Sequence, residues 1–528
     1  MPHYRDLREL VAYLDARGKL YRYHEKINKE TELIPLYRLQ LRGLPSPERK
    51  VFLFDQVVGT KGRAYEMPVL AGIYGASEEI LALEMGCRTY PEMLEKWHQA
   101  LERPVAPVVV KDGPVHEEVH VGKEIQELGL DEFPVPVEEP GFSGIVRTGL
   151  PMITKDPESG IRNVGTYNGF FRARNRLVSS IAPIHDARRY HWRTAQNRKE
   201  GLPVAIVIGG NPEVMWVGSA SIPYGTDELA GAPVELVPCV SIPLEVPAHA
   251  EAVIEGIIST EVMEPGLPFG EYPGYLNGNY HPRPVIHVTA VTHRKKAMFT
   301  PVLVGLPPSD TNVVWGFCNA AQLFHRLKYE CRYPVEEVYF PEMGGGSTFC
   351  LIRVGEGARQ ETVQEILAET GKNTGIKYVV AVDSDIRLQD PELLIWALTF
   401  RTQPKRDFTF SEGGHPGLDP SAAPTPGWKR ELEEGPRPEL SRVFINATRR
   451  RPYPPVALPR RDYMEKALEL WRGRRDLPPL QLREPWHGYM LGHWDERLQK
   501  YAGLIAQGEY IKVGEEMAQL QEKARRDG

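Results

Sequence analysis

A chain of 528 residues exceeds what one hydrophobic core supports, so about three domains are expected. With 41% hydrophobic and 25% charged residues, long disorder is excluded, and a net charge of -6 gives no electrostatic pull toward nucleic acid or an anionic membrane. The expected partner is a small molecule.

The charged opening, Met1 to Leu20, lacks the apolar core of a signal peptide, and no apolar run approaches the roughly 18 residues needed to cross a bilayer. A soluble, cytoplasmic protein is expected. Within this opening, Leu7, Leu10, Val11 and Leu14 recur at helical spacing between Asp6 and Gly18, which predicts an amphipathic helix. It begins an α/β domain over 1–114, ended by the Pro-rich stretch from Arg103 to Pro114. Over 115–308, short β-branched runs such as Val204 to Ile208 and Val285 to Val291 alternate with Gly, Pro and Asn clusters, so a barrel or sandwich is expected. The stretch from Gly209 to Pro243 looks like turn-rich connection.

Over 309–450 the pattern returns to α/β. Phe349 to Val354 is predicted as a strand, Gln360 to Thr370 as a helix and Tyr378 to Val382 as a strand, making a βαβ unit. Asp390 followed by Pro391 marks the start of another helix. A Gly- and Pro-rich stretch follows Asp407, and 451–528 is a helical tail suited to an oligomer contact.

The five cysteines, Cys87, Cys239, Cys318, Cys331 and Cys350, are scattered without a Cys-x-x-Cys pair and are expected as reduced thiols. No Gly-x-Ser-x-Gly elbow or phosphate loop ending in Gly-Lys-Ser/Thr is present. Gly355 to Gln360 lacks the third glycine of a dinucleotide loop and is read as a turn, as is Gly344 to Ser347. The basic run Arg449 to Arg451 is read as a solvated or interface patch.

In Pro268-Phe-Gly-Glu-Tyr-Pro-Gly-Tyr275, turn formers and aromatic rings restrain one carboxylate. Glu271 is therefore a candidate general acid, the alternative being a capping role. Asn163-Val-Gly-Thr-Tyr167, followed by Arg172, Arg174, Arg176 and His185, suggests a polar, cationic site for a phosphate. Asn163 and His185 are candidate ligands for a divalent ion there, the alternative for His185 being structural.

"NVGTY" at Asn163, "LPVAIVIGGNP" at Leu202, "VPAHAEAVIEG" at Val246, "PFGEYPGY" at Pro268 and "YVVAVDSDI" at Tyr378, in that order, resemble the UbiD family. The resemblance implies a multidomain α+β chain: an N-terminal α/β domain, a central split β-barrel that binds prenylated FMN, and a C-terminal α/β domain engaged in oligomerisation. It further implies reversible decarboxylation of an aromatic or α,β-unsaturated acid, with the modified flavin carrying the electrons released as CO2 leaves. A flavin prenyltransferase would supply the cofactor, a divalent metal (Mn or Fe) and K+ are the implied ions, and a homo-oligomer, dimer or hexamer, is implied.

In such enzymes an Asn, a His and a Glu hold the metal against the flavin phosphate. Asn163 and His185 match the first two, while counting back from "VPA" puts Val240 at the Glu, leaving Glu235 or Glu245 as substitutes. A Glu-Arg-Glu network surrounds the reacting carbon; counting puts Asn168 at the Arg and Gly266 at the first Glu, with Glu271 retained and Arg172 or Arg174 as replacement cations. The resemblance places Glu271 and Asn168 at the chemistry, and Thr166, Tyr167, Asn168, Ser180, Ile181, Ala182, His185 and Ser219 at the flavin. Two readings follow: an active decarboxylase whose altered pocket takes an unusual acid, such as a CoA thioester, or an accessory subunit of a larger carboxylase complex.

Overall fold

The computed structural model describes residues 4–183, 185–231, 233–277, 282–414, 418–422, 440–480 and 482–520. Much of the Gly- and Pro-rich stretch expected after Asp407 therefore lies outside the described residues. Contacts divide the chain into two units, one comprising 1–384 with 404–446 and the other 385–403 with 447–528.

The first unit opens as its pattern requires. Asp6 caps the helix Leu7–Asp15 by accepting from the Glu9 amide, and Leu7, Leu10, Val11 and Leu14 are the buried face. A three-stranded sheet follows, in the order Leu20–Asn28, Val51–Val58, Val69–Ala71.

The central segment is a closed barrel of six strands. Around the ring they run Ala252–Pro265, Leu202–Ile208, Val146–Lys155, Arg162–Ala173, Arg176–Ser179 and Pro282–His293, which pairs back onto the first. Closure removes exposed sheet edges, and Glu118–Val121 adds beside Pro282–His293 on the outside of the ring. Within the stretch read as turn-rich connection, Pro212–Ser219 is instead a helix. Pro at its first position and a run of apolar residues buried on nearly every side favour that helix despite its flanking turns.

Beyond the barrel, the helix Asp310–His325 leads into a five-stranded sheet ordered Val335–Tyr339, Phe349–Val354, Tyr378–Val382, Ser441–Ala447, Phe408–Glu412. Phe349–Val354 and Tyr378–Val382 pair in parallel around the helix Gln360–Thr370, so the βαβ unit has its expected bounds. In the second unit, Asp390 caps Pro391–Arg401 through the Glu392 and Leu393 amides.

One buried carboxylate joins the first helix to the barrel. Glu251 accepts from Arg8 through Nε and Nη2, both at 2.9 Å, and from the Met298 amide at 3.0 Å, with Arg294 at 3.5 Å. Its side chain is fully buried, so removing its charge takes from Arg8 its carboxylate partner and leaves Arg294 only Asp6. Glu251→Gln should destabilise the fold by roughly 3 kcal/mol, read as a lowered urea midpoint with unchanged m-value.

Candidate active site

The strand Arg162–Ala173 builds the site on both of its faces, because successive side chains alternate. Asn163, Gly165 and Tyr167 share one face. A Cβ on Gly165 would lie 2.1 Å from Tyr167 Cζ, so glycine is what lets the tyrosine ring fold back over the backbone. Tyr167 Oη thereby donates to Asn163 Oδ1 at 3.4 Å, and its ring sits 4.9 Å from that of His185.

Asn163 Nδ2 donates to Glu228 Oε2 at 3.0 Å, and the Val164 amide donates to the same oxygen. Glu228 begins the short turn Glu228–Gly231, and it was missed in the sequence. Burial pushes its carboxyl up to about 8, and the nearby Asp186 and Asp227 add to the effect against its two hydrogen bonds. Asp227 is itself matched by Arg162, whose Nη2 lies 2.6 Å away.

The substitutes expected for the carboxylate ligand are elsewhere. Glu235 holds His249 at 3.0 Å and Glu245 holds Lys155 at 3.0 Å. Val240 is exposed and gives only its backbone amide to Glu255. Counting from the Val246 block does not reach Glu228, which lies in a turn of its own between the helix Pro212–Ser219 and the strand Glu235–Pro238.

His185 accepts the Ala182 amide at Nδ1 (3.0 Å). Burial lowers its pKa to about 4, helped by the Arg283 charge, so the ring is neutral near pH 7 and able to ligate a metal. Arg283 gives Nη1 to Ser180 O at 3.0 Å and keeps a buried Nε with no hydrogen-bond partner. It replaces the cations expected from the sequence: Arg172 reaches Pro265 O, Arg174 pairs with Asp131, and Arg176 pairs with Glu264. Those three turn away because they lie past the end of the strand's functional stretch, beside carboxylates of neighbouring segments.

The other face of the strand presents Thr166 and Asn168. Thr166 Oγ1 donates to Gly218 O at 3.2 Å and lies 3.4 Å from Ser219 Oγ, so the helix Pro212–Ser219 delivers Ser219 to the same wall. Ser180 brackets Asn168, accepting its amide at Oγ and donating its own amide to Asn168 O, both at 2.8 Å. Ile181 gives its amide to Ser179 Oγ, and Ala182 anchors His185. Ser180, Ile181 and Ala182 thus hold Asn168 and His185 from behind.

Two adjoining cavities result. The larger, about 740 Å³, is lined by Asn163, Thr166, Tyr167, His185, Ser219 and Glu228 from the barrel side, with Trp315, Lys377 and Arg442 opposite. Its size suits a cofactor-sized ligand. The smaller, about 50 Å³, shares Thr166, Ser219 and Trp315 and is lined by Asn168 and Glu271. Glu271 sits in the tight turn between Phe269–Gly270 and Leu276–Asn277, held by hydrogen bonds with Tyr275 O and the Gly274 amide.

Behind this smaller cavity lies a guanidinium unforeseen in the sequence. Arg147, fully buried, gives Nη1 to Asn168 Oδ1 at 2.8 Å, and Nη2 to Gly270 O at 2.8 Å and Glu138 Oε2 at 3.2 Å; Glu139 is at 3.6 Å. It packs 4.7 Å over the Phe269 ring. Burial, opposed by Arg147 and reinforced by Glu139, pushes Glu138 up to about 8. A charged residue inside an apolar strand needs such partners, and that is the signal that would have exposed Arg147 in the sequence.

Known proteins share this sequence pattern and fold. Residues 107–307 match the model of the 3-octaprenyl-4-hydroxybenzoate carboxy-lyase Rift-related domain, and 312–447 match that family's C-terminal domain. The UbiD-class enzyme HmfF of Pelotomaculum thermopropionicum in complex with FMN is 30% identical, covering 84% of this chain and 94% of its own, with a TM-score of 0.73. An evolved dimeric form of HmfF in complex with prFMN is 28% identical over 88% of this chain and all of its own, with a TM-score of 0.74. Vanillic acid decarboxylase of Sedimentibacter hydroxybenzoicus is 25% identical over 89% of this chain and 99% of its own, with a TM-score of 0.73.

The π-helical turn Ala187–Trp192 behind the site carries another buried histidine, His191, whose Nδ1 lies 2.9 Å from Thr154 Oγ1. Burial lowers its pKa from 6.5 to about 4. Between those values the unfolded chain binds a proton that the folded chain refuses, so stability falls as pH drops from 6.5 toward 4. Removing one titrating ring with His191→Gln should make that part of the stability curve shallower, measured as melting temperature against pH, with His185 still titrating over the same range.

Proposed function

The chain belongs to the UbiD family of carboxy-lyases, and from that premise we propose that it decarboxylates, reversibly, an aromatic or α,β-unsaturated carboxylic acid using prenylated FMN. The observation that carries this reading is the meeting of Asn163, His185 and Glu228 at one wall of a cofactor-sized cavity whose neighbouring recess holds Glu271.

The donor set suits a divalent cation: an amide, a neutral imidazole and a buried carboxylate that has two carboxylates for neighbours. A dication here would offset the burial cost that now holds Glu228 protonated, and would draw a phosphate to the same wall. Bound prenylated FMN would supply the electron sink for the pair left behind by CO2.

The chain's own residues supply the rest. Glu271 holds the proton that goes to the carbon vacated by CO2, and takes it back in the carboxylation direction. Asn168, its Oδ1 tied to Arg147, turns Nδ2 to the recess as a neutral donor for a substrate oxygen. The buried, hydrogen-bonded pair of Glu138 and Arg147 stands in for the Glu and Arg absent at Gly266 and Asn168. It fixes Asn168 and, through Gly270 O, the turn bearing Glu271. A recess with an amide in place of a cation favours substrates bound mainly through the rest of the molecule, as a CoA thioester would be.

Anaerobic co-expression with a flavin prenyltransferase should give protein carrying near-stoichiometric prenylated FMN by native mass spectrometry and absorption. A cofactor-free protein would sink the catalytic reading and favour an accessory subunit. In the loaded enzyme Glu271→Gln should retain the flavin and lose at least about a hundredfold in turnover of a responsive acid; retained turnover would remove Glu271 from proton delivery. Glu228→Ala should lose metal and flavin together, whereas Glu235→Ala and Glu245→Ala should lose neither.

A further inference from the structure

A second constellation with ligand chemistry lies on the outer side of the barrel. His120 comes from the strand Glu118–Val121, His293 ends the strand Pro282–His293, and Glu132 ends the turn Gly129–Glu132. The two strands pair antiparallel, with His120 opposite Val291, which brings the two imidazoles diagonally together.

Three acceptor atoms converge. His293 Nε2 is 2.6 Å from Glu132 Oε1 and 3.2 Å from His120 Nε2, and His120 Nε2 is 3.9 Å from Glu132 Oε1. The rings stack, their centroids 5.3 Å apart. Glu132 Oε2 is buried without a hydrogen-bond partner, and the side chains of His293 and Glu132 are 11% and 12% exposed.

The outer nitrogens set the tautomers. His293 Nδ1 lies 2.8 Å from Arg294 O, an oxygen that can only accept, so that nitrogen carries a proton, and Nε2, 2.6 Å from Glu132 Oε1, offers its lone pair inward once a metal ion displaces the proton it shares with that carboxylate. His120 Nδ1 faces Glu124 Oε2 at 3.7 Å, which favours the same arrangement. Two inward lone pairs and a carboxylate oxygen then face a common point. One proton can bridge only two of them; a metal ion serves all three.

We propose that His120, Glu132 and His293 form a three-ligand zinc site, distinct from the flavin-side ligands. Two imidazoles and one carboxylate are borderline ligands of the kind zinc takes, and the three separations scatter around the roughly 3.3 Å spacing of tetrahedral ligands with bonds of about 2.0 Å. His120, 22% exposed, leaves the fourth position open to water. The ion would staple the added strand and the turn to the barrel, so its effect is on stability rather than turnover.

Full-length protein stripped with chelator and titrated with zinc chloride tests this. The parent chain should bind one equivalent more than His120→Gln, by elemental analysis after desalting, and zinc should raise its melting temperature while leaving that of the variant less affected. Glu132→Gln, nearly isosteric, should weaken the extra equivalent by at least about tenfold. Cobalt, added instead, should give a tetrahedral absorption band in the parent that His120→Gln lacks. Equal zinc uptake and equal melting shifts in parent and His120→Gln would overturn the site and leave a proton-bridged His293–Glu132 ion pair in its place. The comparison between variants cancels any zinc taken at Asn163, His185 and Glu228.

Discussion

A single buried guanidinium fixes the geometry of the reaction recess. Arg147 reaches the side chain of Asn168, the backbone beside Glu271 and the carboxylate of Glu138 from one position in the barrel wall. Planar, permanently charged and able to donate in several directions, it does what a lysine in its place could not. Desolvating such a group is costly, and that cost is offset only while all of its partners stay in place. The recess is restrained at two points: the Asn168 side chain at Oδ1 and, through Gly270 O, the turn bearing Glu271.

The local elements could be read from the sequence, because helical and strand periodicities are properties of neighbouring residues. The capped helix at Leu7–Asp15 and the βαβ unit from Phe349 to Val382 follow from spacing and capping alone. Closure of the barrel depends on Ala252–Pro265 meeting both Leu202–Ile208 and Pro282–His293, a choice of partners that periodicity does not encode. The same limit governs the site. Asn163 and Glu271 sit inside recognisable motifs, with Asn168 and His185 a short count beyond the first, whereas Glu228 lies in a short turn and Arg147 shows only as a lone charge in an apolar strand. Each becomes meaningful only when folding brings it to a partner far away in the chain.

Electrostatics separates the two ends of the site. Around Glu228, carboxylates accumulate and the carboxyl is driven toward its neutral form, a condition that a dication would reverse. Burial, helped by the charge of Arg283, keeps the His185 imidazole unprotonated near pH 7. A neutral His185 beside a carboxylate in want of a cation is a better metal site than either residue would make alone.

Under the proposed reading, Asn168 stands where the resemblance implies a network arginine and Arg147 lies behind it, which changes what the recess can select. A guanidinium in the recess would pair with any free carboxylate and contribute much of the binding energy at the reacting end. An amide pinned at Oδ1 offers only N–H donors without net charge, so it aligns an oxygen while adding little affinity. Discrimination must then come from surfaces farther from the bond that breaks, and binding there can be spent on orientation at the carbon that loses CO2. Under the proposed reading, the recess near Asn168 sets direction, Glu271 sets proton delivery, and the larger cavity sets which acid is accepted.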